Sequence, residues 1–240
     1  MKISAAYCSN YGGRKVNEDC VYLCEQNDGV TAIVADGLGG MEHGDRASRI
    51  AVKTVASALS MEYVSSDRLN EAVQQANDAI FNDKKSGEMA STVAVLWIND
   101  KIACVSHVGD SRIYQIRDGR IIYQSKDHSV SQMAVMVGEI TQSEIRGHKD
   151  RNRLVRALGA AQPAKPDTTT LDVMTGDAFL LCTDGFWELI LEENIVSYLN
   201  SSESAAEWLD KMCRHIERFQ TADCDNNTAA AIIVNGEKCK

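Results

Sequence analysis

The apolar runs of this 240-residue chain change period in an order that does not repeat. Three β-like runs come first, KISAAYCS, CVYLCEQ and VTAIVAD, with Asn27-Asp28-Gly29 as a turn between the last two. Two stretches of helical spacing follow. One carries Ala47, Ile50, Ala51, Val55, Ala58 and Leu59; the other carries Leu69, Ala72, Val73, Ala76 and Ile80, with Asp67 in its first turn. Strands then return as STVAVLWI and KIACVSHV about Asn99-Asp100, and as SRIYQIR and RIIYQS about Asp118-Gly119. A polar, basic segment from about Ser129 to Pro166 breaks that rhythm. After it come TTTLDV and AFLLCTD, a helix with Ala206, Leu209, Met212, Cys213 and Ile216 capped by Ser204 and Glu207, and a last strand, TAAAIIV. This order excludes the regular strand–helix alternation of a doubly wound parallel sheet and predicts an α+β fold of antiparallel sheets with helices packed outside them. No Pro/Gly/Ser-rich seam and no internal repeat divides the chain, so residues 1–240 read as a single domain.

The formal charge of −9 argues against a binder of nucleic acid, whose phosphates would be repelled at long range. No apolar stretch is long enough to span a bilayer, and MKISAAYCSN lacks a charged segment ahead of a long apolar run, so neither membrane insertion nor a secretory leader is expected. The 8 cysteines are scattered, with no CxxC pair and no Cys/His ligand spacing. Several sit within apolar runs, where Cys acts as a small hydrophobe. A reducing cytoplasm is expected rather than a disulfide framework, and zinc is not.

Acidic residues stand where the apolar runs begin or end. Asp36 closes AIVAD, Asp110 follows SHVG, Asp184 closes LLCTD, Asp225 precedes the last strand, and Glu18-Asp19 precede CVYLC. One such Asp is usually a turn or cap. Strand ends can also converge, and carboxylates gathered at one point repel one another unless cations lie between them. Hard divalent ions with oxygen ligands, Mg²⁺ or Mn²⁺, are the natural partners.

The residues flanking these acids carry a resemblance. Arg14-Lys15-Val16-Asn17-Glu18-Asp19, Asp36-Gly37-Leu38-Gly39-Gly40, Gly109-Asp110-Ser111-Arg112, Asp127-His128-Ser129, Thr183-Asp184-Gly185 and Asp225-Asn226-Asn227-Thr228 resemble, in order, the motifs of the type 2C metal-dependent Ser/Thr protein phosphatases, above all the bacterial branch. The resemblance implies a four-layer αββα sandwich, two antiparallel sheets with helices on both outer faces and metals in a cleft at one end. It implies two Mn²⁺ or Mg²⁺ ions, with a third in a weaker site, arming a water that attacks the phosphate directly. Asp36 would bridge two metals, the Gly37 carbonyl would ligate one, and Asp184 and Asp225 would hold the other. Glu18 would act through water, Asp19 would orient the shell, Asp110 would complete the third site with Asp184, and Arg14 would take the substrate phosphate. Phosphoproteins and a cognate Hanks-type kinase are the implied partners of a cytoplasmic monomer. DGFWE at 184–188 is similar to phosphatases encoded beside type VI secretion genes. A catalytically silent module of the same fold and a two-metal nuclease are the alternatives; all ligand positions are kept, which disfavours the first, and the acidic charge disfavours the second.

Leu38 stands where eukaryotic members carry His, which removes a general acid there, and Ala90-Ser91-Thr92 replaces a common Gly-Thr-Thr. His43, His107 and His128 read as structural or solvated. Phe186-Trp187 reads as core or as cleft wall. Residues 138–165 carry Arg146, Lys149, Arg151, Arg153, Arg156, Lys165 and His148 against Glu139, Glu144 and Asp150, at the position of the family's flap. That excess predicts a solvated basic face, or a surface that meets acidic flanks of substrates or gates the cleft.

Overall fold

The computed structural model describes residues 2–26, 29–38, 43–59, 64–83 and 89–236. Gly39 and Gly40 of the second motif, the Asn27-Asp28 turn and Cys239 lie outside these residues.

One sheet has the order β1-β10-β9-β6-β7, formed by β1 (Lys2–Asn10), β10 (Asn227–Asn235), β9 (Ala178–Cys182), β6 (Arg112–Arg117) and β7 (Arg120–Gln124). The other runs β2-β3-β4-β5-β8, from β2 (Asp19–Gln26), β3 (Gly29–Asp36), β4 (Val93–Ile98), β5 (Ile102–Val108) and β8 (Asp167–Asp172). Every pairing is antiparallel. Helices α1 (Gly44–Ala58) and α2 (Ser66–Asp83) cover the second sheet, while α4 (Asp184–Trp187), α5 (Glu192–Asn200) and α6 (Ala205–Phe219) cover the first. The short α3 (Val130–Met136) lies between β7 and β8. The expected four-layer sandwich is what forms.

Two-residue periodicity explains the layers. In β4, Val93, Val95 and Trp97 meet α1 and α2, whereas Ala94, Leu96 and Ile98 point between the sheets. In β10, Ala229 and Ala231 lie against the helical side and Ala230, Ile232 and Val234 face the inter-sheet core. Both faces are covered, so these strands are apolar throughout instead of alternating with polar residues. The small alanines on the outer face of β10 leave room for Trp208 and Met212 of α6 in the same cluster.

The turns obey local chemistry. Asp118 and Gly119 take φ of 51° and 70°, the left-handed pair of a tight hairpin between β6 and β7. Asn99 Oδ1 accepts from the amides of Lys101 and Ile102.

Three details differ from the sequence reading. Helix α6 buries Leu209, Met212 and Ile216 as expected, but its first turn brings Ala205 and Trp208 inward and leaves Ala206 exposed. Only half of the expected capping box forms there: Ser204 Oγ accepts from the Glu207 amide, but Glu207 Oε2 takes the amide of Glu203. A complete box occurs instead at Thr141 and Glu144. Helices α3, α4 and α5 were not expected. The first has seven residues, the second is a single turn, and only Ile195 of the third is buried, so none shows several turns of periodicity.

Candidate active site

The alternation that builds the inter-sheet core also delivers the acids. Ala32 and Val34 of β3 face the other sheet, so Asp36 continues the same face at the strand's end. Val21 and Leu23 of β2 do likewise, and Asp19 is the cross-strand partner of Asp36. Thr183 follows Phe179 and Leu181 on that face of β9, and Thr228 precedes Ala230 and Ile232 on β10. The core thus ends in polar side chains at one end of the sandwich. There Arg14, Glu18, Asp36, Gly37, Leu38, Asp110, Asn152, Leu154, Asp184 and Asp225 line a cleft of about 610 Å³.

Seven of the eight expected site residues line this cleft, and Asp19 sits directly behind it. Thr183 Oγ1 donates to Asp19 Oδ2 at 2.9 Å, and the Thr228 amide donates to Thr183 Oγ1 at 3.0 Å. Asp19 Oδ1 is buried without a hydrogen-bond partner. Asp36 is fixed through its backbone: its amide donates to Thr92 Oγ1, and its carbonyl accepts from the Thr92 amide and from Ser91 Oγ. Asp184 Oδ1 accepts the Gly185 amide at 2.7 Å, and Asp225 Oδ1 accepts that of Asn226 at 2.9 Å.

Gly12, at φ 58°, lets the chain before Arg14 press against Asp225: a Cβ there would meet the Asp225 carbonyl oxygen at 2.1 Å. Asn226 holds the same loop, donating from Nδ2 to the carbonyls of Tyr11 and Val16 and accepting the Glu18 amide. Arg14 Nη2 lies 3.1 Å from Asp225 Oδ2 with its side chain 54% exposed at the rim.

The electrostatics show convergence. Protein packs closely around Asp36, and burial together with the charges of Asp184, Asp19, Asp110 and Asp225 holds its pKa well above the carboxylate range. Asp184 is raised likewise by burial, then by Asp110, Glu188, Asp225 and Asp19. Burial, then Asp127, lifts Asp110 to about 7. Burial lifts Asp19 to about 6 against hydrogen bonds from Thr228 and Thr183. Glu18 is raised by burial and by Asp225 and Asp45, with Arg14 opposing. A site of six carboxylates with one arginine at its rim is short of positive charge. An oxygen-only donor set, with a buried carboxylate oxygen left unpaired, fits hard divalent cations rather than soft or imidazole-bound ones.

Several supports went unread in the sequence although they sit inside the quoted motifs. Thr183, Asn226 and Thr92 hold ligand positions as described. Trp187 is core, 1% exposed, and its Nε1 donates to the Asp110 carbonyl at 2.9 Å. Arg112 lies 3.5 Å over the Trp187 ring and grips Asp127 with Nε and Nη2. Asn152 and Leu154 reach the cleft from the flap, where only position pointed to them. Neither His43 nor His128 lines the cleft: His43 is exposed, and His128 Nδ1 accepts the Gly109 amide. His107 is buried on β5 with Nε2 2.8 Å from the Lys126 carbonyl oxygen, a sheet residue as expected.

The basic flap is not a free cationic face. Arg146 bonds Glu192 through both Nη atoms and also donates to the carbonyls of Trp187 and Ile190. Arg151 pairs with Glu188, Arg153 with Asp150 and Arg156 with Asp167. Isolated bridges Ser91–Leu158 and Ser129–Leu154 fasten the segment to the body.

Residues 9–226 match the sequence pattern described as protein phosphatase 2C. A serine/threonine phosphatase, stp, from Listeria welshimeri is 30% identical over 209 residues, covering 82% of this chain and 82% of the relative. The crystal structure of the Mycobacterium tuberculosis serine/threonine phosphatase PstP/Ppp superposes with a TM-score of 0.87 at 28% identity over 98% of this chain and all of that one. The catalytic domain of PstP in complex with two manganese ions gives 0.83 and 27%, with the same coverage. PppA, titled a key regulatory component of T6SS in Pseudomonas aeruginosa, gives 0.81 and 26% over 97% of this chain and 98% of that one.

Proposed function

The chain belongs to the protein phosphatase 2C family, and from that premise we propose that it hydrolyses phosphoserine and phosphothreonine in proteins by direct attack of water in the carboxylate cleft. It is a protein serine/threonine phosphatase that depends on Mn²⁺ or Mg²⁺. Asp36, the Gly37 carbonyl, Asp184 and Asp225 are the residues to hold two ions, with Glu18 and Asp19 behind them and Asp110 toward a third. When bound, such ions supply Lewis acidity and a nucleophilic water at neutral pH.

The protein's own part is positioning and charge. Arg14 is a planar fork of donors at the rim, suited to two oxygens of a phosphate dianion. Its partner in the structure is Asp225; were Asp225 to hold an ion, the guanidinium would be left to meet substrate. Leu38 and Leu154 give the cleft an apolar margin that limits water around the scissile bond. Leu38, in place of an imidazole, has no proton to give to the leaving alkoxide. Among the described residues no cysteine lines the cleft, so none serves as its nucleophile.

The observation that carries this reading is the convergence of Glu18, Asp36, Asp110, Asp184 and Asp225 on one cavity with Arg14 at its edge. Hydrolysis of a phosphothreonine peptide with Mn²⁺, lost in Asp36→Asn, is the expected result. No turnover with Mn²⁺, or equal turnover in the variant, would overturn it. In the cell the enzyme reverses a Ser/Thr kinase in the cytoplasm, and the PppA likeness supports a place in secretion control. Among the described residues no helix is long and apolar enough to cross a membrane. Phosphothreonines that accumulate in a deletion strain would name the substrates.

A further inference from the structure

Away from the cleft, Cys8 of β1 and Cys213 of α6 bring their sulfurs to 3.2 Å across 205 positions of sequence. The approach follows from how the helix lies on the strand. The Ala205 amide, at the start of α6, donates to Ser4 Oγ. From Ser4 to Cys8 the strand advances roughly 13 Å, and from Ala205 to Cys213 the helix advances roughly 12 Å, so the two elements stay in step and a second contact forms at the thiols. Ala6 and Cys8 share the face of β1 that packs into the helical cluster, and Cys213 packs there from α6.

We propose that Cys8 and Cys213 are a site of reversible thiol oxidation, which a peroxide converts to a disulfide joining β1 to α6. Both residues are only partly buried, so a small oxidant reaches them. The geometry needs little change: forming the bond closes the sulfur separation by about 1.2 Å. The two thiols are also unequal. The hydrogen bond between them lowers the pKa of Cys213 and, with burial, raises that of Cys8, so Cys213 is the nucleophile and Cys8 the resolving thiol.

The Cys213 thiolate attacks a peroxide oxygen, the O–O bond breaks, and the proton that Cys213 had released joins the departing hydroxide, leaving sulfenic acid and one water. Cys8 then attacks that sulfur, its proton leaves with the displaced hydroxide as a second water, and the S–S bond forms. Two thiols are oxidised by two electrons and one hydrogen peroxide is reduced; a dithiol reductant reverses the step. The crosslink has a bearing on the cleft. The strand that holds Cys8 leads into the Arg14 loop, and the helix that holds Cys213 leads toward Asp225.

The test is mass spectrometry of the intact wild-type protein after brief exposure to equimolar hydrogen peroxide. A loss of two hydrogens, a Cys8–Cys213 linked peptide and restoration by dithiothreitol are expected. In Cys8→Ala, Cys213 should be trapped as sulfenic acid by dimedone. Free alkylation of both residues after peroxide, a different linked pair, or overoxidation of Cys213 in the wild type would each overturn the proposal. None of these readouts depends on phosphatase activity.

Discussion

Thr183 Oγ1 donates a hydrogen bond to Asp19 Oδ2 at 2.9 Å, while the other oxygen of Asp19 has no partner in the protein. The threonine thereby fixes which oxygen of Asp19 would be left for an ion or its water. Thr183→Val keeps the shape and removes that constraint. The Mn²⁺ concentration giving half-maximal activity should rise by roughly 10–100-fold. A titration of activity with Mn²⁺ checks this, and the thermal stability should fall by only about 1–2 kcal/mol.

Asp110 and Asp19, with pKa values raised to about 7 and about 6, bind protons in the metal-free folded state that the unfolded chain has released above roughly pH 4. Because the folded state holds more protons in that window, the contribution of these two groups to stability falls as pH rises from about 4 to about 7, and Asp36 and Asp184, raised further, extend the fall to higher pH. Bound ions keep the carboxylates ionised and remove this slope. His107 and His128, whose pKa values burial lowers, act in the opposite sense in both forms. The difference between Mn²⁺-loaded and chelated melting curves should therefore widen with pH. At 100 times its dissociation constant, one Mn²⁺ should add about 2.7 kcal/mol.

The Arg14 side chain is half exposed and pairs with Asp225 at the rim. Arg14→Ala should leave stability within about 0.5 kcal/mol. It should cut kcat/KM for a phosphopeptide by on the order of 100-fold, since a bidentate charged contact to the phosphate is lost. Arg14→Lys should recover the charge but not the fork, and so only part of the rate.

Arg112 and Asp127 are a buried pair, with side chains 2% and 1% exposed. Arg112→Met strands the carboxylate and should cost about 3–5 kcal/mol in chemical denaturation. Adding Asp127→Leu should return most of that loss, which separates the pair's net worth from the penalty of an unpaired charge.

The strand ends were legible because an acid stands where each apolar run begins or ends, and the rule of two places Asp36 and Asp19 on the core-facing side. Register added what composition could not: Asp19 opposite Asp36, and Thr183 beside Thr228. In the flap segment local charge was visible while its distant partners were not. Arg146 finds Glu192, and Arg151 finds Glu188, across 46 and 37 positions of sequence. Helix α5 escaped notice because a single buried residue, Ile195, gives no period.

The fastening of Arg146 to Glu192 and to two backbone carbonyls has a kinetic corollary. A segment moored at that point should swing little during turnover. Exchanging Asn152, an exposed polar residue of the cleft lining, should then alter which phosphorylated proteins enter more than how fast a small phosphate ester is cleaved.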